Sequence, residues 1–161
     1  MKQRNKHSGF TLIELVLSLA ILGMLAALAV PLLGSDDSLQ VHVTRQLLVS
    51  DIEYAQIIAI SHPEDEIALV FDVDGWHIAN TAEISTPLLD RITNEPLELR
   101  FGEGPAASAK NVEITTTSEN QMLVFDQNGA LRDFLQEYEI TIQSGVTTSI
   151  VQISPTTGSI F

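Results

Sequence analysis

One long apolar run constrains this chain more than any other feature. Residues 15–33 contain no charged side chain, and only Ser18, Gly23, Pro31 and small alanines interrupt the large apolar residues. An α-helix rises about 1.5 Å per residue, so roughly 20 residues cross the hydrocarbon core of a bilayer. The run therefore predicts a membrane-directed helix. Pro31 predicts a bend in that helix, because proline has no amide donor and clashes with the preceding turn.

The residues before the apolar run indicate its orientation and its processing. Residues 1–9 carry three basic side chains and no acid, so the positive-inside rule keeps them in the cytoplasm and sends the rest of the chain outward. An ordinary secretory signal has its small-residue cleavage site after the apolar region. Here the small residue, Gly9, comes before it. Cleavage between Gly9 and Phe10 would remove the basic leader and leave the helix on the protein.

Glu14 does not fit a plain membrane anchor. A carboxylate within an apolar segment costs a few kcal/mol unless it is paired, so it suggests a function. After cleavage, Phe10 would carry a free α-amine that is mostly cationic at neutral pH. This amine and Glu14 can pair within one helix or between neighbouring chains, where the pair would fix the axial register. The alternative is a glutamate whose carboxylate simply reaches the membrane interface.

Residues 9–31, GFTLIELVLSLAILGMLAALAVP, resemble the class III signal of type IV pilins and type II secretion pseudopilins. The resemblance covers about the first fifth of the chain. It implies that a prepilin peptidase cuts after Gly9 and methylates the new amine of Phe10. It also implies that Glu14 is the acid that acts in assembly between subunits, and that Pro31 is the proline of the family's helix.

The remaining sequence predicts one amphipathic helix followed by strands. Apolar residues recur at helical spacing from Leu39 to Ser61. Pro87 leaves residues 84–92 open between an edge strand and a loop, and residues 102–110 are expected to form a loop. Tight turns are expected at Asp74-Gly75, Asn128-Gly129 and Ser144-Gly145. The predicted strands are 67–71, 76–79, 97–101, 112–116, 121–125, 137–143, 147–153 and 159–161.

These elements predict an α+β fold, in which a long N-terminal hydrophobic helix of pilin type packs on an antiparallel β-sheet head. The expected organisation has four parts. Residues 1–9 are a prepilin leader, and residues 10–33 are a transmembrane and filament-core helix. Residues 34–61 are the amphipathic second half of the helix, and residues 62–161 are a β-rich periplasmic head.

The head is similar to one minor-subunit subgroup, called GspH in type II secretion and FimT in type IV pilus systems. Four short segments carry this resemblance: residues 54–59, the turn that ends in Asp74-Gly75-Trp76, residues 124–129, and Thr157-Gly158 before the last strand. The sequence departs from the subgroup at Gln56, where an arginine is usual.

Charge and composition exclude several classes of function. Three of the eight Lys and Arg residues lie in the leader, so the processed chain has five bases against 21 acids and a formal charge of −16. Such a chain is not expected to bind nucleic acid through a broad basic surface. The chain has no cysteine, which excludes a disulfide framework and thiolate metal sites.

No arrangement of residues predicts catalysis, a metal site or a cofactor. His7 lies in the leader, and His42, His62 and His77 lie on separate elements without metal-ligand spacing. Asp72, Asp74 and Gly75 faintly resemble a calcium loop, but a hairpin turn is the stronger interpretation because further ligands are missing. The chain is therefore not expected to be an enzyme.

The resemblance implies a structural subunit, a GspH-like minor pseudopilin of a type II secretion pseudopilus that supports secretion across the outer membrane. Its partners would be other pilin-like subunits, the prepilin peptidase and the inner-membrane assembly platform. It would sit in the inner membrane as a single-pass protein, with a cytoplasmic N-terminus and a periplasmic head. One alternative is a FimT-like minor pilin of a type IV pilus. The other is a membrane-anchored binding or catalytic domain unrelated to filaments.

Overall fold

The computed structural model describes residues 11–29, 36–117, 120–132 and 138–161. The chain divides into two units between Ser35 and Asp36. The described part of the first unit is helix α1, Leu12–Ala29. No helix among the described residues is long and apolar enough to cross a membrane. The domain boundaries expected from the sequence stay predictions.

The second unit, Asp36–Phe161, is called the head from here on, so that the name now includes the amphipathic helix. Its described part contains one α-helix and two antiparallel sheets. Helix α2 spans Asp36–Ser61. The four-stranded sheet has the order β3-β2-β1-β5, and the three-stranded sheet has the order β4-β6-β7. The strands are β1 Ile67–Asp72, β2 Gly75–Asn80, β3 Glu98–Arg100, β4 Glu113–Thr116, β5 Met122–Phe125, β6 Tyr138–Ser144 and β7 Thr147–Ile153.

One stripe of α2 packs on both sheets. Its buried residues recur every three or four positions, which places them on one face of the helix. This face contacts β1 and β5 of one sheet and β6 and β7 of the other. The α+β class is thereby confirmed, with α2 as the helix that packs on the antiparallel sheets. The buried residues are Gln40, Val41, Thr44, Leu48, Ile52, Ala55 and Ala59.

The largest fully buried side chains in the head are aromatic: Trp76, Phe125 and Tyr138. The ring of Trp76 meets that of Phe101 edge to face, with centroids 5.8 Å apart, a favourable geometry for aromatic pairs. Buried Gln40 accepts the amide N–H groups of Lys110 and Asn111. This side chain therefore ties the loop before β4 to the helix.

The structure has a turn at each of the three predicted places, but the two hairpin turns are shifted by one residue. In the β1–β2 hairpin, Asp72 pairs with Gly75, so Val73 and Asp74 form the two-residue turn. The β6–β7 hairpin turns through Gly145 and Val146 between paired Ser144 and Thr147. The Asn128-Gly129 turn closes through a hydrogen bond from the Gly129 amide to the Asp126 carbonyl, with Gly129 at φ +78°.

The structure overturns one expectation about the elements and specifies three others. The last strand, residues 159–161, is only an isolated bridge between Ile153 and Ile160. Residues 84–92 form a loop with single bridges, and the 102–110 loop contains a short 3-10 helix at residues 104–106. Helix α2 begins at Asp36, three residues before Leu39, because two acidic residues favour a helix N-terminus.

Candidate processing and assembly site

Thr11 and Glu14 hold the start of α1 through a reciprocal pair of side chains. The Glu14 Oε2 atom accepts hydrogen bonds from the Thr11 amide at 3.0 Å and the Thr11 hydroxyl at 2.8 Å. In return, the Glu14 amide donates to the Thr11 hydroxyl at 3.4 Å. This is a capping box. It satisfies the Thr11 amide, and it gives the Glu14 amide, which also donates to the Thr11 carbonyl at 3.1 Å, a second acceptor. The T-x-x-E spacing of Thr11 and Glu14 is the sequence signal of such a box.

The capping box uses only one of the two oxygens of the Glu14 carboxylate. Both Thr11 donors end on Oε2, and among the described residues Oε1 takes no hydrogen bond. A carboxylate offers two acceptor oxygens, so Glu14 can cap its own helix and accept a second donor as well. Gly9, Phe10 and Pro31 lie outside the described residues. Cleavage, methylation and the helix bend therefore stay predictions.

The described surface of α1 is apolar on every side. All large apolar side chains from Leu12 to Leu25 are more than half exposed. Ser18 adds no unpaired polar group, because its hydroxyl donates to the Glu14 carbonyl at 2.8 Å. A helix that is apolar all round is normally covered by lipid or by other helices. The helix therefore offers an apolar surface for association with lipid or with other helices.

Three of the head segments singled out in the sequence meet at the second half of α2. The Gln56 side-chain amide donates to the Gly158 carbonyl at 2.8 Å. A Cβ atom on Gly158 would overlap the Gly129 carbonyl, and one on Gly129 would lie 3.0 Å from the Ile60 side chain. The two glycine turns are thus packed against the helix. Gln56, the departure from the subgroup pattern, is the residue that joins one of them to it.

The fourth segment meets the same helix through Asp51 and Trp76. The indole Nε1 of Trp76 donates to the Asp51 carboxylate at 2.7 Å, and Trp76 is only 2% exposed. Burial raises the pKa of Asp51, and the hydrogen bond from Trp76 opposes that rise. The hydrogen bond therefore joins α2 to β2, although burial disfavours the charged form of Asp51.

Substitutions at Asp51 should separate the contribution of the hydrogen bond to the free energy of unfolding from that of the charge. The pKa of Asp51 is raised in the folded state, so burying the ionised carboxylate lowers the free energy of unfolding. This loss is absent below the unfolded-state pKa and complete above the folded-state pKa. Stability from this group should fall as pH rises from about 4. We expect Asp51→Asn to keep an acceptor for Trp76, to be at least as stable as the wild type at pH 7, and to lose this pH dependence.

Asp51→Ala should instead lower the free energy of unfolding by about 1–3 kcal/mol, because the buried indole N–H loses its acceptor. The measurement is urea unfolding of the full chain in detergent at about pH 3.5, below the unfolded pKa, and at about pH 7. It can be followed by the fluorescence of Trp76, since the chain has one tryptophan. Equal stabilities of the Asn and Ala variants would contradict the role of the hydrogen bond.

The histidines of the head stabilise its structure in different ways. His77 is buried, with Nδ1 2.7 Å from an Asp72 oxygen and Nε2 2.7 Å from the Ile84 carbonyl. His62 accepts from Arg91 through Nε2 at 2.5 Å, and His42 is exposed on α2. Within the described ranges, no group of three or more metal-ligating side chains is found.

Asp72, Asp74 and Gly75 belong to the β1–β2 hairpin, as the turn interpretation predicts. The Asp72 carboxylate pairs with His77, and the Asp74 carboxylate lies 3.3 Å from the Arg100 guanidinium. These contacts direct the two acids to partners within the head.

Comparison with known families gives one match. The family model described as the prokaryotic N-terminal methylation motif matches residues 4–30. Neither the curated proteins nor the solved structures give a significant match.

The matched segment contains Gly9, Phe10 and Glu14, together with all of α1. It ends one residue before Pro31. This signal accompanies processing by a prepilin peptidase and assembly with other pilin-like subunits. The match therefore supports a type IV pilin-like or pseudopilin subunit.

Proposed function

We propose that this chain is a GspH-like minor pseudopilin of a type II secretion system, a structural subunit and not an enzyme. The observation that carries the proposal is the N-terminal methylation motif over residues 4–30. The chain would wait in the inner membrane, held by residues 10–33, with its N-terminus in the cytoplasm and its head in the periplasm. A prepilin peptidase would cut after Gly9 and methylate Phe10.

The properties of α1 support assembly through this helix. Its exposed apolar surface would be covered by neighbouring helices in the filament core, where close packing supplies the attraction. The Oε1 atom of Glu14, which takes no hydrogen bond from the described residues, can accept the Phe10 amine of an adjacent subunit, and the two charges would offset each other's desolvation. Pairing of this kind fixes the axial position of each subunit, on the inner-membrane platform and then in the filament.

The head supports the minor-subunit part of the proposal. The segments that resemble the GspH subgroup pack together around α2 through the contacts of Gln56 and Asp51. The formal charge of the processed chain is −16, from five bases against 21 acids. Heads of this charge stay soluble and repel one another, so we expect the helices to supply most of the attraction between subunits.

The test is the intact mass of the full chain purified from membranes of a cell that has the peptidase. We expect a chain that begins at Phe10 and carries one added methyl group. Gly9→Ala should be processed because the side chain stays small, whereas Gly9→Glu should keep the leader. A wild-type chain that begins at Met1, or processing of the Gly9→Glu variant, would contradict the proposal.

A deletion of the gene would distinguish the two machines. Loss of protein secretion with surface pili retained would support the type II pseudopilus. Loss of pili with secretion intact would assign the chain to the FimT-like alternative, which shares the same N-terminal signal.

A further inference from the structure

Strand β7 leaves part of a sheet edge open. It is the outer strand of the three-stranded sheet, and β6 pairs with it on one side. On the other side, at the far end from the hairpin turn, Gln152 exchanges two backbone hydrogen bonds with Phe161, at 2.9 and 3.4 Å. The backbone N–H and C=O groups of Gln152 therefore point away from β6.

The backbone groups of Thr148 and Ile150 point to the same side as those of Gln152. In an antiparallel pair, alternate residues of a strand direct their N–H and C=O groups to the same neighbour. Within the described part of the chain, these two residues form no backbone hydrogen bond on that side. Both residues are exposed, Ile150 to 50%. The edge of β7 thus presents two donors and two acceptors, which we call the open row.

The other edge strands of the two sheets are short, charged or covered. Strand β3 has three residues, two of them charged, and β4 has four residues and begins with Glu113. On β5, the Val124 carbonyl accepts the Arg132 amide. Strand β7 has seven residues, TTSIVQI, without a charge or a proline. Because uncharged edges rich in β-branched residues readily pair with a further strand, the open row is suited to a partner strand.

The acids at the two ends of the open row indicate the charge of the partner. At the turn end, the Asp37 carboxylate accepts from the Ser144 hydroxyl at 3.2 Å. At the other end, the Glu139 carboxylate accepts from the Gln152 side-chain amide at 2.7 Å. Both donors are neutral, and neither acid forms an ion pair with a described residue. A neutral or basic strand therefore fits this edge, whereas a second copy would bring the same acids to it.

We propose that β7 accepts a strand from a different pilin-like subunit, which extends the three-stranded sheet along the open row. The partner segment is extended, neutral or basic, and has an apolar or β-branched residue opposite Ile150. The inference rests on the proposed function. Four backbone hydrogen bonds give only a modest affinity, so the contact holds between heads that their helices have already brought together.

Photo-crosslinking of the full chain tests this contact in cells that carry the whole secretion system. A benzophenone amino acid replaces Thr148, and the matched control has the same amino acid in place of Ile92, which is 94% exposed in the loop before β3. We expect at least about fivefold more adduct from position 148, because the tethered partner lies beside it. Mass spectrometry of the linked peptides should place the adduct in a different protein that carries the N-terminal methylation motif.

Sedimentation and intact mass report assembly and processing in the same membranes. If processed, assembled chains give no more adduct from position 148 than from position 92, the strand pairing is wrong while the proposed function stands. An adduct between two copies of this chain, or with a protein that lacks the motif, would also overturn the pairing. If the chains are neither processed nor assembled, the proposed function and the pairing fail together.

Ile150→Pro tests whether the backbone itself pairs. Proline is tolerated in an edge strand where the N–H faces outward, so the bonds from β7 to β6 remain. The adduct from position 148 should fall at least about fivefold, because the partner loses a donor and meets the proline ring. Ile150→Thr keeps the N–H and should retain most of the adduct. Equal yields in the two variants would show that the open row does not pair.

Amide exchange gives the same test in the wild-type chain, without a substitution that could disturb folding. The Ile150 N–H should exchange with deuterium at least about tenfold more slowly in the assembly than in the monomer in detergent. The Ser149 N–H, which faces β6 in both states, is the control. Unchanged exchange at Ile150 on assembly would overturn the pairing.

Discussion

Glu14→Gln is expected to enter the membrane and to be processed like the wild type, yet to fail in assembly. The glutamine amide keeps an acceptor for the Thr11 donors that now bind Oε2, and glutamine serves as well as glutamate in a capping box. The variant therefore retains the start of α1. It loses only the negative charge that would neutralise the Phe10 amine of a neighbouring subunit.

The size of the effect follows from the environment of the pair. Removing one partner of a buried ion pair costs about 3–5 kcal/mol, because the other charge stays buried without compensation. Each 1.4 kcal/mol is a factor of ten in an association constant, so the assembled fraction should fall roughly a hundredfold or more. The measurement is the amount of sedimenting, detergent-resistant assembly, with the intact mass of the same sample as the control for processing.

Thr11→Val is the matched variant, since it removes the hydroxyl of the capping box and leaves the Glu14 charge. It should weaken the helix start by about 1 kcal/mol and reduce assembly far less than Glu14→Gln. Normal assembly of Glu14→Gln would refute the charge pairing. If Thr11→Val were the more severe variant, capping would be the main role of Glu14.

Local patterns were sufficient to predict most elements of the head. The hairpins at Asp74-Gly75 and Ser144-Gly145 have both their strands and their turn residues within about 15 positions. Helix α2 was predicted from its apolar spacing alone. The prediction of a last strand was wrong because Ile160 is the only residue of that segment that forms a bridge. An ending as short as Ser159-Ile160-Phe161 does not distinguish a bridge from a strand.

The features that make the site specific depend on contacts between distant residues. The Asp51–Trp76 bond joins positions 25 apart, and the Gln56–Gly158 bond joins positions 102 apart. Neither has a local pattern that predicts it. The Thr11–Glu14 capping box is different, because its spacing was visible in the sequence. It was missed because Glu14 was interpreted only as an acid within a membrane segment.

Gly75→Ala should have the largest effect on the stability of the head. The sequence predicts a glycine here for the hairpin turn, but the structure gives a stronger reason. Gly75 begins β2 at φ +154° and pairs with Arg100 of β3. A Cβ atom would overlap the Leu99 carbonyl oxygen and lie 3.2 Å from the Arg100 Cα atom. Both obstacles are backbone atoms, so β3 would have to leave its place beside β2.

Gly104→Ala is the control that separates backbone strain from this overlap. Gly104 also has a positive φ, +47°, but no atom lies within 4 Å of its Cβ position. Gly104→Ala should lower the free energy of unfolding by about 1 kcal/mol, the penalty of a left-handed conformation. Gly75→Ala adds overpacking and a conformation that is reserved for glycine. We therefore expect it to lower the free energy of unfolding by roughly 4 kcal/mol.

A loss of this size is a large share of the 5–15 kcal/mol or so that stabilises a typical domain. The measurement is urea unfolding of the full chain in detergent, followed by the fluorescence of Trp76, which pairs with Leu99 in the same two strands. Similar losses of stability in the two alanine variants would mean that β3 moves away from β2 at little cost. The close approach of Leu99 would then not be what requires glycine at position 75.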